Sequence, residues 1–224
     1  MRIAAFVPMK GNSERVPNKN LKDFNGRPLY HLIVKTLLQS KYITDVAINT
    51  DSDLIATDVK KHFPNVQIIN RPEELRGDFV SMNKIIKHDM SMISADYYIQ
   101  THSTNPLLKA RTLDKAIEVF IASREQFDSV FSVTKIQTRF YDKNGKPYNH
   151  NPEELIRTQD LEPLFEENSN FFIFSKKSFE EAGDKRIGKN PLMYEMDKIE
   201  SVDIDEPQDF EIAMAIEKII NKNK

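Results

Sequence analysis

Two hydrophobic rhythms alternate along the first 135 residues. Short apolar runs at Ile3–Val7, Val46–Asn49, Val66–Ile69, Tyr97–Thr101 and Ser129–Val133 predict strands. Between them, apolar residues recur every three or four positions and predict helices. Leu29, Leu32, Ile33, Thr36 and Leu37 follow Pro28, which suits a first helical turn. Ser52 or Asp53 is placed to cap a helix reaching about His62. A third helix opens at Ser81 with Ile85, Ile86 and Met90 on one face, and a fourth runs from Leu113 to about Ala122. The repeated strand–helix order predicts an α/β fold in three α/β/α layers around a mostly parallel, doubly wound sheet.

The rhythm breaks at residues 136–168, a polar segment with an Asn144-Gly145 turn signal. We read residues 1–224 as a single domain and 136–168 as an arm or dimer-contact excursion, because a loop of that length is uncommon in a compact domain. Order returns at Phe171–Phe174, followed by a short helix to Ala182 and extended pieces at Met193–Glu195 and Ser201–Asp203. A last helix, Glu206 to about Asn221, is expected to bury Phe210, Ile212, Ala213, Ile216 and Ile219 or Ile220.

Composition narrows the function classes. The chain is 39% hydrophobic and 29% charged, with a formal net charge of −2. There is no global basic field to gather nucleic acid or an anionic membrane surface. No stretch approaches the ~20 apolar residues of a membrane span. Cysteine is absent, which removes disulfides, thiolate metal sites and a cysteine nucleophile. These features lead us to expect a cytoplasmic protein. The five histidines show no metal spacing, and His31, His62 and His88 read as ordinary helix residues. Patterns for a hydrolase elbow, a dinucleotide fold and a P-loop are missing.

Two stretches carry candidate chemistry. The first strand empties into a loop with Lys10, Arg15 and Lys19 among Gly11, Asn12 and Ser13. Exposed backbone N–H groups and cations in such a loop suit phosphates. Near the other end, Asp203-Ile204-Asp205 places two carboxylates on one face with Ile204 between them. Such a pair can hold a hard divalent cation. Asp205 with Gln208 also reads as a capping box for the last helix, so both roles stay open. In a parallel sheet, Lys10, Asp51, Arg71 and His102 all follow strand ends and could line one crevice.

The stretch Val7-Pro8-Met9-Lys10-Gly11-Asn12-Ser13-Glu14-Arg15-Val16-Pro17-Asn18-Lys19-Asn20-Leu21 resembles the nucleotide loop of the acylneuraminate cytidylyltransferases, the CMP-sugar synthetases. The resemblance continues at Asn49-Thr50-Asp51, Arg71-Pro72-Glu73-Glu74-Leu75, Thr104-Asn105-Pro106-Leu107, Glu167-Asn168-Ser169 and Ser201-Val202-Asp203-Ile204-Asp205. It spans nearly the whole chain in family order. It implies a nucleotidyltransferase-type fold, a homodimer, and transfer of CMP from CTP to a 2-keto acid sugar with release of pyrophosphate. The product would serve surface polysaccharide biosynthesis.

By motif position, Lys10, Gly11, Asn12, Ser13, Arg15 and Lys19 would meet the triphosphate. Asn20 and Arg71 would face the cytosine and ribose, and Asp203 and Asp205 would hold Mg²⁺. The catalytic set implied is Lys10, Arg15, Lys19, Asp203 and Asp205.

Three positions depart from the family pattern. Lys10 replaces a usual arginine and Glu14 a frequent lysine. His102-Ser103-Thr104-Asn105-Pro106 replaces Gln-Pro-Thr-Ser-Pro, so His102 stands where a glutamine meets the sugar. His102, Thr104 and Asn105 are therefore the expected acceptor-binding residues. Arg157, or Arg139, is the expected cation for the acceptor's acid group. The departure at His102 keeps open an octulosonate or a phosphate- or phosphonate-bearing acceptor. A non-catalytic nucleotide-binding module is the remaining alternative.

Overall fold

The computed structural model describes residues 1–222. Among them seven strands form one sheet in the order β3-β2-β1-β4-β6-β5-β7. These are β1 (Ile3–Met9), β2 (Asp45–Thr50), β3 (Gln67–Asn70), β4 (Tyr97–Thr101), β5 (Ser129–Ile136), β6 (Leu164–Phe174) and β7 (Pro191–Glu195). Helices α1 (Tyr30–Leu38), α2 (Asp53–His62), α3 (Met82–Met92), α4 (Ala110–Ser123), α5 (Lys176–Glu181) and α6 (Pro207–Lys222) complete the fold.

The alternation inside β1 shows why three layers form. Ile3, Ala5 and Val7 pack with Ile33, Val34 and Leu37 of α1, Ile55 and Val59 of α2, and Leu113 and Ile117 of α4. Ala4 and Phe6 face the other way, onto Ile86 and Met90 of α3 and Phe179 of α5. A strand covered on both faces must be apolar throughout, and every β1 residue is buried. β1 runs on through Pro8 to Met9, two residues past the expected end. The β4 partner stops at the Phe6–Gln100 pair, so the missing N–H of Pro8 costs no bond to that strand.

Ladders β1–β2, β1–β4, β2–β3 and β5–β7 are parallel. β6 alone runs against its neighbours β4 and β5. Its length corrects the excursion boundaries. Glu166 and Glu167 pair with Thr134 and Val133, so residues 164–168 belong to the sheet and the excursion is 137–163. A register shift between Phe131 and Val133 marks a bulge, and Ser169 opposite it has φ +55°. Within the excursion Tyr141 bridges Pro147, and Tyr148 and Leu155 are 71% and 81% exposed.

The final helix starts at Pro207 and buries Phe210 and Ala213 against Phe24, Leu29 and Ile204. Ile212 is exposed, contrary to expectation, because the inward stripe is completed by Glu217, while of the pair Ile219 and Ile220 it is Ile220 that is partly buried. That carboxylate is bound by Asn25 and Arg27. His31 and His62 converge on Asp58, with Tyr30 donating to the same carboxylate. Burial lowers the His31 pKa, so a neutral imidazole ties α1 to α2. No helix among the described residues is long and apolar enough to cross a membrane.

Candidate active site

The loop after β1, the β2 exit, the β4 exit and residues 202–206 meet beyond the carboxyl ends of the parallel strands. In doubly wound sheets that is the ligand-binding edge. The loop is anchored at Gly11, whose N–H donates to Asp51 Oδ1 at 2.7 Å. A Cβ built there would lie 2.8 Å from Ser52 Cβ, closer than real Cβ contacts come. Gly11→Ala should displace the loop and raise the KM for CTP about tenfold, with little change in melting temperature, because Ser52 is also the α2 cap and anchors the opposing wall. An unchanged KM would mean that the loop's placement is not used.

Three cations line a cleft of roughly 240 Å³: Lys10, Arg15 and Lys19, with Ser13 on its wall. Lys10 binds Asp78 at 2.5 Å. Arg15 binds Asp205 at 2.7 Å and Glu206 at 3.2 Å. Lys19 donates to the Ile204 carbonyl at 2.5 Å. Burial lowers the Lys19 pKa, against the pull of Asp205 and Asp203. The structure thus brings Arg15 and Lys19 onto the distant 204–206 stretch, while Lys10 turns to Asp78. Asn12 is exposed.

Asn20 is buried, donating to the Lys10 carbonyl and accepting from Ser103 Oγ at 2.6 Å. Both ends are engaged, so Asn20 joins the loop after β1 to the β4 exit. Arg71 is also buried. Its Nε donates to Asn49 Oδ1, and its Nη2 to the Met9 and Asn49 carbonyls. It therefore fixes the ends of β1 and β2.

Behind it lies Asp89, 0% exposed, which accepts from Asn49 and has an unpartnered Oδ2. Burial pushes the Asp89 pKa up to about 6. Between the ordinary carboxylate range and pH 6, the folded state therefore holds a proton that the unfolded chain releases. Stability falls as pH rises through that window, by up to about 3 kcal/mol. Asp89→Asn should remove this slope. Urea unfolding at pH 4.5 and 7.5 checks it, and the variant's relative gain should grow with pH.

Asp203 is half-buried, and burial raises its pKa, opposed by a hydrogen bond from Thr104. Asn105 Nδ2 reaches Asp203 Oδ1 and the Val202 carbonyl at 3.4 Å. Thr104 O accepts from the Ile204 N–H. Thr104 and Asn105 thus hold the 202–204 segment in place. The segment is not a strand, yet Ile204 still points inward, fully buried. The expected capping box does not form. The N–H groups of Asp205 and Glu206 are bound by Asp209 Oδ2, while the Asp205 carboxylate turns to Arg15.

The donor set suits Mg²⁺. Asp203 and Asp205 offer hard oxygens, and the buried Asn105 Oδ1 and Asn170 Oδ1 nearby have no partner. Both aspartates also wall a cleft of roughly 690 Å³ with Glu167 and Asn168.

At the β4 exit, His102 Nε2 is buried without a partner. Burial, with Arg186 and Lys19 nearby, lowers the His102 pKa to about 4, so the ring is neutral. Arg157 is not among these groups. It lies on the exposed excursion, bound to Asp160 at 2.7 Å, and Arg139 donates to the Ile156 carbonyl. The cation beside His102 is Arg186, which sequence reasoning missed. It sits in an aperiodic stretch, and its partners Asn83, Gln100 and Glu167 come from three other elements.

A family model described as cytidylyltransferase matches residues 4–221. The chain belongs to the cytidylyltransferase family. Among curated relatives, the N-acylneuraminate cytidylyltransferase of Escherichia coli O18:K1:H7 is 27% identical over 239 residues, covering 100% of this chain and 54% of that protein. This chain therefore spans about half the length of that relative. The pseudaminic acid cytidylyltransferase of Campylobacter jejuni is 26% identical, covering 98% of this chain and 97% of that protein. The CMP-N,N'-diacetyllegionaminic acid synthase of Legionella pneumophila is 27% identical, covering 100% and 98%. A solved CMP:2-keto-3-deoxy-manno-octonic acid synthetase complexed with CTP matches with a TM-score of 0.73 at 14% identity, over 98% of this chain and 100% of that one. The cytidylyltransferase fold is thereby shared, with the expected mixed, mostly parallel sheet.

Proposed function

We propose that this chain transfers CMP from CTP to a nonulosonic acid and releases pyrophosphate. One observation carries the reading: Arg15 binds Asp205 and Glu206 and Lys19 binds the Ile204 carbonyl, so the cation-lined cleft is tied directly to the stretch whose aspartates wall the neighbouring cleft. Relatives with pseudaminic and legionaminic acid names support the acceptor class.

In the reaction the acceptor's anomeric oxygen forms a bond to the α-phosphorus, and the bond to the β-phosphate oxygen breaks. The hydroxyl proton is lost, and pyrophosphate leaves. Most of the catalytic work is positioning and charge neutralisation. Lys10, Ser13, Arg15 and Lys19 would bind the triphosphate and stabilise the leaving pyrophosphate. In this reading Lys10 and Arg15 exchange Asp78 and Asp205 for phosphate oxygens. Asp203 and Asp205 would hold Mg²⁺, which when bound neutralises phosphoryl oxygens and assists loss of the hydroxyl proton.

The enzyme would work in the cytoplasm as a homodimer. Exposed Tyr148 and Leu155 on the excursion favour a subunit contact, and light scattering at micromolar concentration tests it.

Pyrophosphate release with CTP and a panel of acids tests the activity. The panel is N-acetylneuraminate, pseudaminate, N,N'-diacetyllegionaminate and 3-deoxy-octulosonate. Release with a nonulosonic acid supports the reading. Release with octulosonate alone would move the acceptor class. CTP binding with no turnover on any acid would leave only a nucleotide-binding module.

A further inference from the structure

Beside the end of β4 lies a cation that the scheme above does not use. Arg186 comes from the connection between α5 and β7. Its guanidinium lies over the Phe172 ring, 3.7 Å from the centroid. Nη1 donates to Gln100 Oε1, and the backbone N–H donates to Asn83 Oδ1. The nearest carboxylate is Glu167, 3.6 Å from Nη2 and outside hydrogen-bond range.

The Arg186 side chain is only 18% exposed. A cation so withdrawn from water, without a hydrogen-bonded carboxylate, is incompletely compensated. Burial lowers its pKa to about 10, so it stays charged at neutral pH. The aromatic ring and the neutral amide fix the plane of the guanidinium but do not neutralise it. Gln100 is itself locked, since its Nε2 donates to the Thr101 carbonyl.

His102 lies just past β4, two residues after Gln100, the side chain that holds Arg186. Its Nε2 is buried and unpartnered, and the charges of Arg186 and Lys19 both disfavour protonation of the ring. A fixed guanidinium whose ion-pair partner, Glu167, stays beyond hydrogen-bond range, and an unpaired ring nitrogen at the same strand end, suit a ligand that has an anionic group beside a hydroxyl or amide. A guanidinium fork matches a carboxylate in two parallel bonds.

We propose that Arg186 receives the carboxylate of the acidic sugar acceptor and that His102 Nε2 binds a neighbouring polar group of the same molecule. This rests on the cytidylyl-transfer reading and assigns the acceptor's acid to Arg186 rather than to Arg157 or Arg139. It also gives the departure at His102 a role: a small neutral ring leaves the cation in place and adds one directed hydrogen bond.

The test uses the panel acid with the highest kcat/KM, together with its methyl ester. Arg186→Gln should raise the acceptor KM about 10- to 100-fold, the size of a lost charge-assisted hydrogen bond, while the KM for CTP stays at the wild-type value. Wild type should discriminate strongly between acid and ester, and R186Q should not. Arg186→Lys should recover part of the discrimination. If R186Q does not fold, R186K carries the same acid–ester comparison. An acceptor KM unmoved in either variant would overturn the assignment, as would equal use of acid and ester by wild type. Turnover of no acid by wild type would instead overturn the acceptor reading itself, and this assignment with it.

Discussion

Asp203→Ala should cut pyrophosphate release about 1,000-fold while the protein stays folded and still binds CTP. Three features set the size of this effect. Asp203 is the more enclosed of the two aspartates, so its carboxylate is held by Thr104 and Asn105 rather than by bulk water. It faces the phosphate loop through Lys19, whose charge it shares with Asp205. It also belongs to the oxygen set that fits a hard cation.

The fold should survive because burial disfavours the Asp203 charge, so removing it relieves a cost. Asp205→Ala should act less strongly on the chemistry, since Asp205 is exposed and partnered by Arg15. Steady-state release at saturating CTP separates the two. Equal, undiminished rates in both variants would remove the aspartates from the reaction.

The largest stability effect is expected at Arg71. Arg71→Met keeps the length of the stem but strips three acceptors of their donor: Asn49 Oδ1, Asn49 O and Met9 O. Unpaired buried acceptors and a buried Asp89 that loses its nearby cation should together cost about 3–5 kcal/mol. For a chain of this size that is a drop of roughly 10 °C in melting temperature. Arg71 and Asp89 meet through Asn49, so Arg71→Met combined with Asp89→Asn should recover more stability than Asp89→Asn gains in the wild-type background. A double-variant stability equal to the sum of the two single effects would show that the two side chains do not interact.

The core and the course of the loop after β1 were legible because local signals agreed with tertiary ones. The β1 run is apolar on both faces and is covered on both. Ser52 is placed as a cap and caps. The Asp203–Asp205 stretch was legible too, since a buried Ile204 aims its neighbours outward.

Other features depend on partners far away in sequence. The first half of β6, Leu164 to Asn170, is polar and carries no apolar run, and only pairing with β5 makes it a strand. Its Asn168 lies in a network with Ser132 and Thr134 that no local pattern announces. Asp205 looked like a helix cap, but Asp209 captures the free N–H groups from one turn further on. Ile212 looked like a core residue, but the stripe it would share turns toward Glu217 and its cation Arg27. Arg157 stood out by charge alone, whereas Arg186 became visible only when β4, β6 and the α5–β7 connection were brought together.

The bulge between Phe131 and Val133 separates two parts of the β5–β6 ladder. Upstream, Val130 pairs with Ile173 in the fully buried centre. Downstream, the ladder runs out into the excursion. A residue gained or lost in 137–163 is absorbed beyond the bulge and does not slide the central pairs. Lineages could therefore lengthen, shorten or replace this hairpin, and with it the surfaces it offers, without disturbing the buried Val130–Ile173 centre of the sheet.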